Sequence, residues 1–418
     1  MAHTSEALEA LITAADLWAL DTEAFARKVA ALSFYWLSED KSAARSQAPG
    51  LTLREAPVVE VQARFADNTL AELVLSFYNR GDVGQIDRAE FERQYETCSN
   101  VIARLAAVEG RSWLRPPAGA RQSLRVAPRI VVWTAAQSVY RLEAAASEIK
   151  DATGKATLRP EYITLSIKPP AGVSRVAPVG MPSGRAGLVA LRQRVKRMPN
   201  GDVLLEDIPM VDQGQKGYCA AATAERVMRY YGLDFDQHAI AQHANTSAQG
   251  TDSQAFDEAL SAIARAVSLR LCTLEKLKIP GILRQVKSYN REAQRRRAPE
   301  ILLPTAGVLN MNDIYSQMDK EIFLRSRAGA GEETRFMRNV QDKINSGYPL
   351  FWGVTLGFVD EEVLPQGSRG HMRLIIGYNA RTGTIFYSDS WGAGHEKKRM
   401  SQAEACAITT GLFSMEPG

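Results

Sequence analysis

Two periodicities alternate along the chain. Residues 1–50 read as helical, with Leu8, Leu11, Leu17 and Leu20, and then the 25–37 stretch, supplying apolar faces. Residues 58–65 switch to period two: Val59, Val61, Ala63 and Phe65 fall on one side, Glu60, Gln62 and Arg64 on the other. That alternation predicts a half-buried strand. Residues 70–78 repeat it, with Leu73, Leu75 and Phe77 inward. From 87 to 108 the spacing becomes helical again, and Phe91, Tyr95, Cys98, Ile102 and Leu105 form one stripe. Further strands are predicted around 130–134, 139–144 and 162–167. This order predicts an α+β domain over residues 1–168, an antiparallel sheet with helices on one face.

Pro, Gly and Ser crowd the segment from Lys168-Pro169-Pro170 to about Arg185, which places a linker at 169–194. Residues 194–205 bracket Asn200-Gly201, which predicts a β-hairpin opening a second domain, 195–418. Residues 220–231 lack Gly and Pro and are rich in helix formers, with Gly232 as a C-terminal stop. A second helix is predicted at 253–267. A charged helical insertion follows at about 275–345, then strands at 350–356, 371–378, 384–388 and 412–415.

Composition narrows the partners. A chain of 418 residues has room for two or three domains, each with its own core. Its 45% hydrophobic and 23% charged content is ordinary for a soluble globular protein. A net charge of +4 is too small to imply nucleic acid, and no apolar run approaches the roughly 18 residues of a membrane span. Glu6, Glu9 and Asp16 interrupt any signal-peptide pattern, so the expectation is a soluble chain, exported if a leader has been removed and otherwise cytoplasmic. Cys98, Cys219, Cys272 and Cys406 are widely spaced, with no CxxC pair and no clustered His. Neither a metal, nor a cofactor, nor a disulfide framework is therefore expected. Residues 79–90 place Gly84, Asp87 and Glu90 as in a calcium loop, but Gly81 and Val83 have no ligating side chain at the positions that need one. A strand-to-helix turn explains them. His238 and His243, at no useful spacing to a carboxylate partner, are expected at the surface, and the basic run 291–297 on a solvated helix face.

Candidate chemistry concentrates in three places. A glycine-broken loop, Gln213-Gly214-Gln215-Lys216-Gly217-Tyr218, delivers Cys219 to the start of the predicted helix. There the unpaired N–H groups and the positive end of the helix dipole favour a thiolate. His371 opens an apolar run ending in Gly377-Tyr378, and one strand later comes Asp389-Ser390-Trp391-Gly392. Adjacent antiparallel strands would set His371 beside Asp389. A cysteine nucleophile needs a base, an orienting group and oxyanion donors, and this set contains all of them.

The segment Gln213-Gly214-x-x-Gly217-x-Cys219 resembles the oxyanion-glutamine and nucleophile segment of papain-like cysteine peptidases. The His371 run and Asp389-Ser390-Trp391-Gly392 are similar to the segments carrying their histidine and their Asn-Ser-Trp-Gly motif, with Asp in the third position. That Asp, and a cysteine helix ending in Tyr230-Tyr231-Gly232, look more like relatives of the bacteriocin-leader-processing peptidases. The resemblance covers about 205–415. It implies a papain-like domain in which the nucleophile's helix packs on an antiparallel sheet, preceded by the separate α+β domain. It implies catalytic roles for Cys219, His371, Asp389 and Gln213, and places Tyr218, Gly217 and Trp391 at the substrate, Trp391 also shielding the His–Asp bond. Its substrate would be a peptide or protein amide. Ala220 after the nucleophile and Tyr218 before it depart from the family, Tyr218 with a ring able to narrow the nearby pocket. The same triad also serves acyl transfer or deamidation, and a non-enzymatic binding module on a peptidase scaffold is the remaining alternative. Arg185, Arg192, Arg194, Lys196 and Arg197 offer candidate self-cleavage positions near the linker.

Overall fold

The period-two stretches become two antiparallel sheets, each covered by helices, giving a mixed α+β architecture. The computed structural model describes residues 2–113, 128–150, 156–170, 190–214, 217–233, 237–244, 246, 253–303, 310–327, 329–361, 364–365 and 370–417. The chain divides into two compact units: Met1–Gly180 with Pro209–Ile263 and Gly392–Gly394, and Met181–Ile208 with Ala264–Trp391 and His395–Gly418. This grouping crosses the boundary drawn from sequence, because residues 209–263 cluster with the N-terminal region. Most of the predicted linker lies outside the described residues.

In the first unit, α1 (Ala2–Ile12) and α2 (Thr22–Lys28) lead into β1 (Tyr35–Trp36), β2 (Ala43–Ser46) and the small β3 (Thr52–Leu53) and β4 (Ala56–Pro57) pair. Next come β5 (Glu60–Ala66), β6 (Thr69–Asn79), the short α3 (Arg80–Val83), α4 (Arg88–Ala106), β7 (Arg111–Trp113), β8 (Arg129–Thr134), β9 (Val139–Lys150) and β10 (Ala156–Lys168). The sheet order is β1-β2-β5-β6-β10-β9-β8-β7. Asp87 caps α4 by accepting the Glu90 N–H at 2.8 Å. Asn79 does the same for α3 through the Gly81 N–H at 2.9 Å, as the turn reading anticipated. Val61, Ala63, Leu73, Leu75, Leu142 and Ile163 bury one face of the sheet, and Phe91, Cys98, Val101 and Ile102 of α4 join that core.

Two sequence expectations fail here for identifiable reasons. Helix does not continue to residue 37, because Ser33 turns left-handed at φ 52° and β1 follows. The alternating aromatics of 34–36 instead pack on Phe25, whose ring centroid lies 5.1 Å from that of Phe34 and 6.5 Å from that of Trp36. Nor is the polar side of β5 half-exposed: Glu60 and Gln62 are buried, as is Arg45 opposite Gln62 on β2. Residues from 209–263 carry the countercharges for this face, as described below.

The same unit contains α5 (Cys219–Tyr230), α6 (Gln237–His243) and most of α7 (Ser253–Ala266). α5 is buried on nearly every side, unlike an amphipathic surface helix.

The second unit opens with the predicted hairpin, β11 (Val195–Arg197) and β12 (Asp202–Leu205), with Gly201 at φ 95° in the turn. It continues through β13 (Leu269–Lys276), α8 (Ile279–Arg295), α9 (Met311–Ser316), α10 (Lys320–Arg327) and α11 (Ala330–Asn345). The last elements are β14 (Leu350–Thr355), β15 (Gly370–Asn379), β16 (Thr384–Ser388), β17 (Lys398–Ser401), α12 (Gln402–Ile408) and β18 (Thr409–Pro417). The order is β11-β12-β15-β14-β18-β13, with β16 on β15 and β17 on β16. The charged helical stretch is no surface appendage: Ile282, Val286, Phe336 and Val340 share a core with Leu350, Trp352 and Ile375. β13, β17 and α12 escaped the sequence reading, although Ser401-x-x-Glu404 at the start of α12 is a full capping box. No helix among the described residues is long and apolar enough to cross a membrane.

Candidate active site

Within the second unit, register brings His371 and Asp389 together. β15 pairs with β16 through Leu374 and Ser388, so Asp389 emerges one step past that pair. Residues two apart on a strand share a face, so His371 and Arg373 both point toward it. His371 Nε2 lies 2.8 Å from Asp389 Oδ1, and neither side chain has any solvent exposure. The Trp391 ring stacks on the imidazole at 4.3 Å between centroids and 11° between planes. The Asp389 N–H donates to the His395 carbonyl at 2.9 Å, which fixes the turn that carries the carboxylate.

Arg373, absent from the sequence-derived set, completes this cluster. Its Nε donates to the same Asp389 Oδ1 at 3.0 Å. Nη1 and Nη2 donate to the two Glu361 oxygens at 3.2 and 2.8 Å, and the Tyr387 hydroxyl donates to Glu361 at 2.5 Å. The guanidinium also lies 4.7 Å from the Tyr387 ring centroid, and its side chain is fully buried. Burial alone would raise the Asp389 pKa, but Arg373 first and His371 second outweigh it and hold the carboxyl below its ordinary value. Burial likewise pulls against the Arg373 charge, and Asp389 and Glu361 restore it.

The first unit holds the other candidate groups. Cys219 is the first residue of α5 and is half-buried, whereas Gln213 is fully buried. Gly214 sits at φ 70°, a conformation that accounts for the glycine there. The loop is anchored through Asp212. Arg45 Nη1 donates to Asp212 Oδ2 at 2.8 Å and Nη2 to the Asp212 carbonyl at 2.6 Å. Gly214 N–H donates to Oδ1 at 2.8 Å, and Gln237 Nε2 to the carbonyl at 3.2 Å. Arg45 Nε also lies 3.3 Å from Glu60, and its side chain is 0% exposed. Burial disfavours this cation, yet Glu60 and then Asp212 more than offset the cost and raise its pKa.

Further contacts fix the helix. Arg64 reaches Glu225 of α5 at 3.3 Å, Arg229 reaches the same oxygen at 2.9 Å, and Glu225 Oε2 accepts the Gln237 N–H at 2.7 Å. The Tyr218 hydroxyl donates to Asn79 at 3.0 Å, its ring crosses Gly81, and it meets His238 edge-on at 5.9 Å. The Tyr218 ring is buried, and burial raises its pKa. His238, expected at the surface, is buried beside it.

Of the sequence-derived set, His371, Asp389 and Trp391 meet in the second unit, while Gln213, Gly217, Tyr218 and Cys219 follow one another in the first. Sequence reasoning missed Arg45, Glu60, Arg373 and Glu361. Arg373 carried a usable signal, being two residues from His371 on a strand. Arg45 carried none, since it lies 167 residues from its partner. Among the described residues, no group of three or more His, Cys, Asp and Glu is placed to hold a metal.

Among solved structures, the chain is similar to the peptidase domain of Streptococcus ComA, a bi-functional ABC transporter involved in a quorum sensing pathway. The identity is 13% and the TM-score 0.26, over 51% of this chain and 100% of that one. No protein-family model and no curated protein matches the sequence.

Proposed function

We propose that the chain is a papain-like thiol hydrolase that cleaves an amide bond of a peptide or protein, with Cys219 as nucleophile and His371 as its base. The observation that carries this reading is the buried 2.8 Å contact between His371 Nε2 and Asp389 Oδ1 beneath the Trp391 ring. With Nε2 given to the carboxylate, Nδ1 is the nitrogen that exchanges a proton with the thiol. The Cys219 sulfur then adds to the carbonyl carbon, and negative charge moves to the oxygen. The Gln213 amide and the Cys219 N–H receive that charge; one such donor is worth about 10²–10³ in rate. His371 returns the proton to the leaving amine, then deprotonates the water that hydrolyses the thioester. Asp389 holds the imidazole and stabilises its cationic form, while Trp391 keeps water from their bond. Gly217, lacking a side chain, lets substrate backbone approach the nucleophile. Tyr218 belongs to the scaffold in this reading and not to the substrate wall.

The deciding experiment is iodoacetamide labelling at about pH 5.5, where an ordinary thiol of pKa about 8.5 is almost wholly protonated. The other cysteines form a quiet background. Burial pushes Cys98 up to about 12 and Cys406 up to about 11, and burial with Glu416 nearby also raises Cys272, which is half-exposed. The expected result is rapid labelling of Cys219 alone. Slow labelling that follows exposure across all the cysteines would overturn the reading.

A further inference from the structure

The residues before Cys219 are held by a side chain from the far N-terminal part of the same unit, and this points to a function for that region. Arg45 on β2 is the only described side chain whose bonds reach both the Asp212 carboxylate and the Asp212 carbonyl. Asp212 immediately precedes Gln213, and its carboxylate also takes the Gly214 N–H on the far side. The peptide bearing Gln213 is thereby clamped before and after by bonds that converge on one aspartate. Glu60 on β5 supports the clamp from behind at 3.3 Å, and Gln47 and Gln62 in turn donate to Glu60. The planar guanidinium meets the carboxylate and the carbonyl through two separate nitrogens in a fixed fork, a geometry that the single nitrogen of an ammonium does not reproduce.

We infer that Arg45 is a positioning residue: the N-terminal sheet sets the Gln213 side chain for oxyanion binding through Arg45 and Asp212. The inference rests on the peptidase reading and deepens it, because it makes the N-terminal sheet part of the catalytic scaffold. It separates two reactions of the same sulfur. Iodoacetamide is attacked at its CH₂ carbon with loss of iodide, and no oxyanion forms. p-Nitrophenyl acetate is attacked at its carbonyl carbon; charge develops on the oxygen, the C–O bond breaks, nitrophenolate leaves, and water later releases acetate from the thioester. Only the second reaction needs Gln213.

The test uses the full chain as wild type, Arg45→Lys, Gln213→Ala and the double variant, with both reagents. Arg45→Lys should alkylate Cys219 within about twofold of wild type, while its acylation slows at least about tenfold, toward the loss of about 10²–10³ expected for removing an oxyanion donor. The double variant should acylate no more slowly than Gln213→Ala alone, because two changes acting through one donor do not add. Should Arg45→Lys fail to fold, Asp212→Asn keeps the shape and the carbonyl bond and is expected to show the same split. Wild-type acylation in both Arg45→Lys and Asp212→Asn overturns the inference. So does a double variant whose loss is the product of the single losses, which is what a general structural role would give. Absence of selective Cys219 alkylation in the wild type is a different failure: it overturns the peptidase reading, and this inference with it.

Discussion

The two clusters of candidate residues, one in each unit, are built by the same device at opposite ends of the sequence-distance scale. In each, a fully buried arginine grips an aspartate within or next to the candidate residues: Arg373 on Asp389, Arg45 on Asp212. In each a glutamate balances the remaining charge, Glu361 in one and Glu60 in the other. The His371–Asp389 bond spans 18 residues and follows from two adjacent strands in register. The Arg45–Asp212 bond spans 167 and requires residues 209–263 to cover the polar face of the N-terminal sheet. The contrast shows that a polar stripe on a strand need not face water. It can be a buried recognition surface for another part of the same chain, provided every charge finds its partner.

The comparison breaks first at the arginines. Arg373→Met and Arg45→Met each remove the cation facing two buried carboxylates, and each is expected to cost about 3–5 kcal/mol in denaturant unfolding. They should part company in pH dependence. Asp389 in the wild type titrates below its ordinary value of 3.8. Its stabilisation is therefore complete above that value and is lost as pH falls through the lower folded value. In Arg373→Met burial is opposed only by His371 and the charge of Lys398, so the folded pKa rises from its wild-type position. The stabilisation that Asp389 contributes should then shrink, and what is left should be lost at a higher pH than in the wild type as pH falls. A profile parallel to wild type would mean that Arg373 does not govern Asp389.

His371→Ala sharpens the functional side. If the imidazolium holds Cys219 as thiolate, its removal should slow iodoacetamide labelling at about pH 5.5 by about 10³, the thiolate fraction of an ordinary thiol there. An unchanged rate would mean that the helix terminus alone activates the sulfur.

A smaller effect tests the Tyr218 anchor. A Cβ on Gly81 would lie 2.4 Å from the Tyr218 hydroxyl oxygen, so Gly81→Ala must displace the ring beside Cys219. We expect about 1–3 kcal/mol of destabilisation, as for other overpacked sites, with slowed labelling of Cys219. A fully stable variant that labels normally would show that the ring shifts without moving the helix start.

Legibility in the sequence followed distance. The hairpin at Asn200-Gly201, the helix at α5, the strand carrying His371 and the strand leading into Asp389 come from local periodicity and turn chemistry, and each lies within a few residues of its expected limits. The grouping of 209–263 with the N-terminal sheet had no local signature: Glu60, Gln62 and Arg64 alternate as a solvated strand would, and only the distant Asp212 and Glu225 reveal that this face is covered, with Glu60 and Gln62 buried and Arg64 partly so. Tyr218, which departs from the papain-like pattern, is explained on the same terms. Its neighbours Asn79 and Gly81 lie about 140 positions earlier, beyond the reach of any periodicity.

The smallest expected effect isolates what the Tyr218 hydroxyl contributes. Tyr218→Phe removes the 3.0 Å bond to Asn79 Oδ1 but keeps the ring against Gly81 and His238. The acceptor is not orphaned, because Asn79 Oδ1 also takes the Gly81 N–H at 2.9 Å. Loss of a bond whose partner stays satisfied sits at the low end of the usual range, so we expect about 0.5 kcal/mol in thermal or denaturant unfolding and no change in Cys219 labelling. Asn79→Ala should cost more, about 1–2 kcal/mol, since it removes the partner of Tyr218 and the cap of α3 together. If Tyr218→Phe matched Asn79→Ala, the hydroxyl and not the ring would be setting the start of α5, and the packing account of this departure from the family pattern would have to be replaced by an electrostatic one.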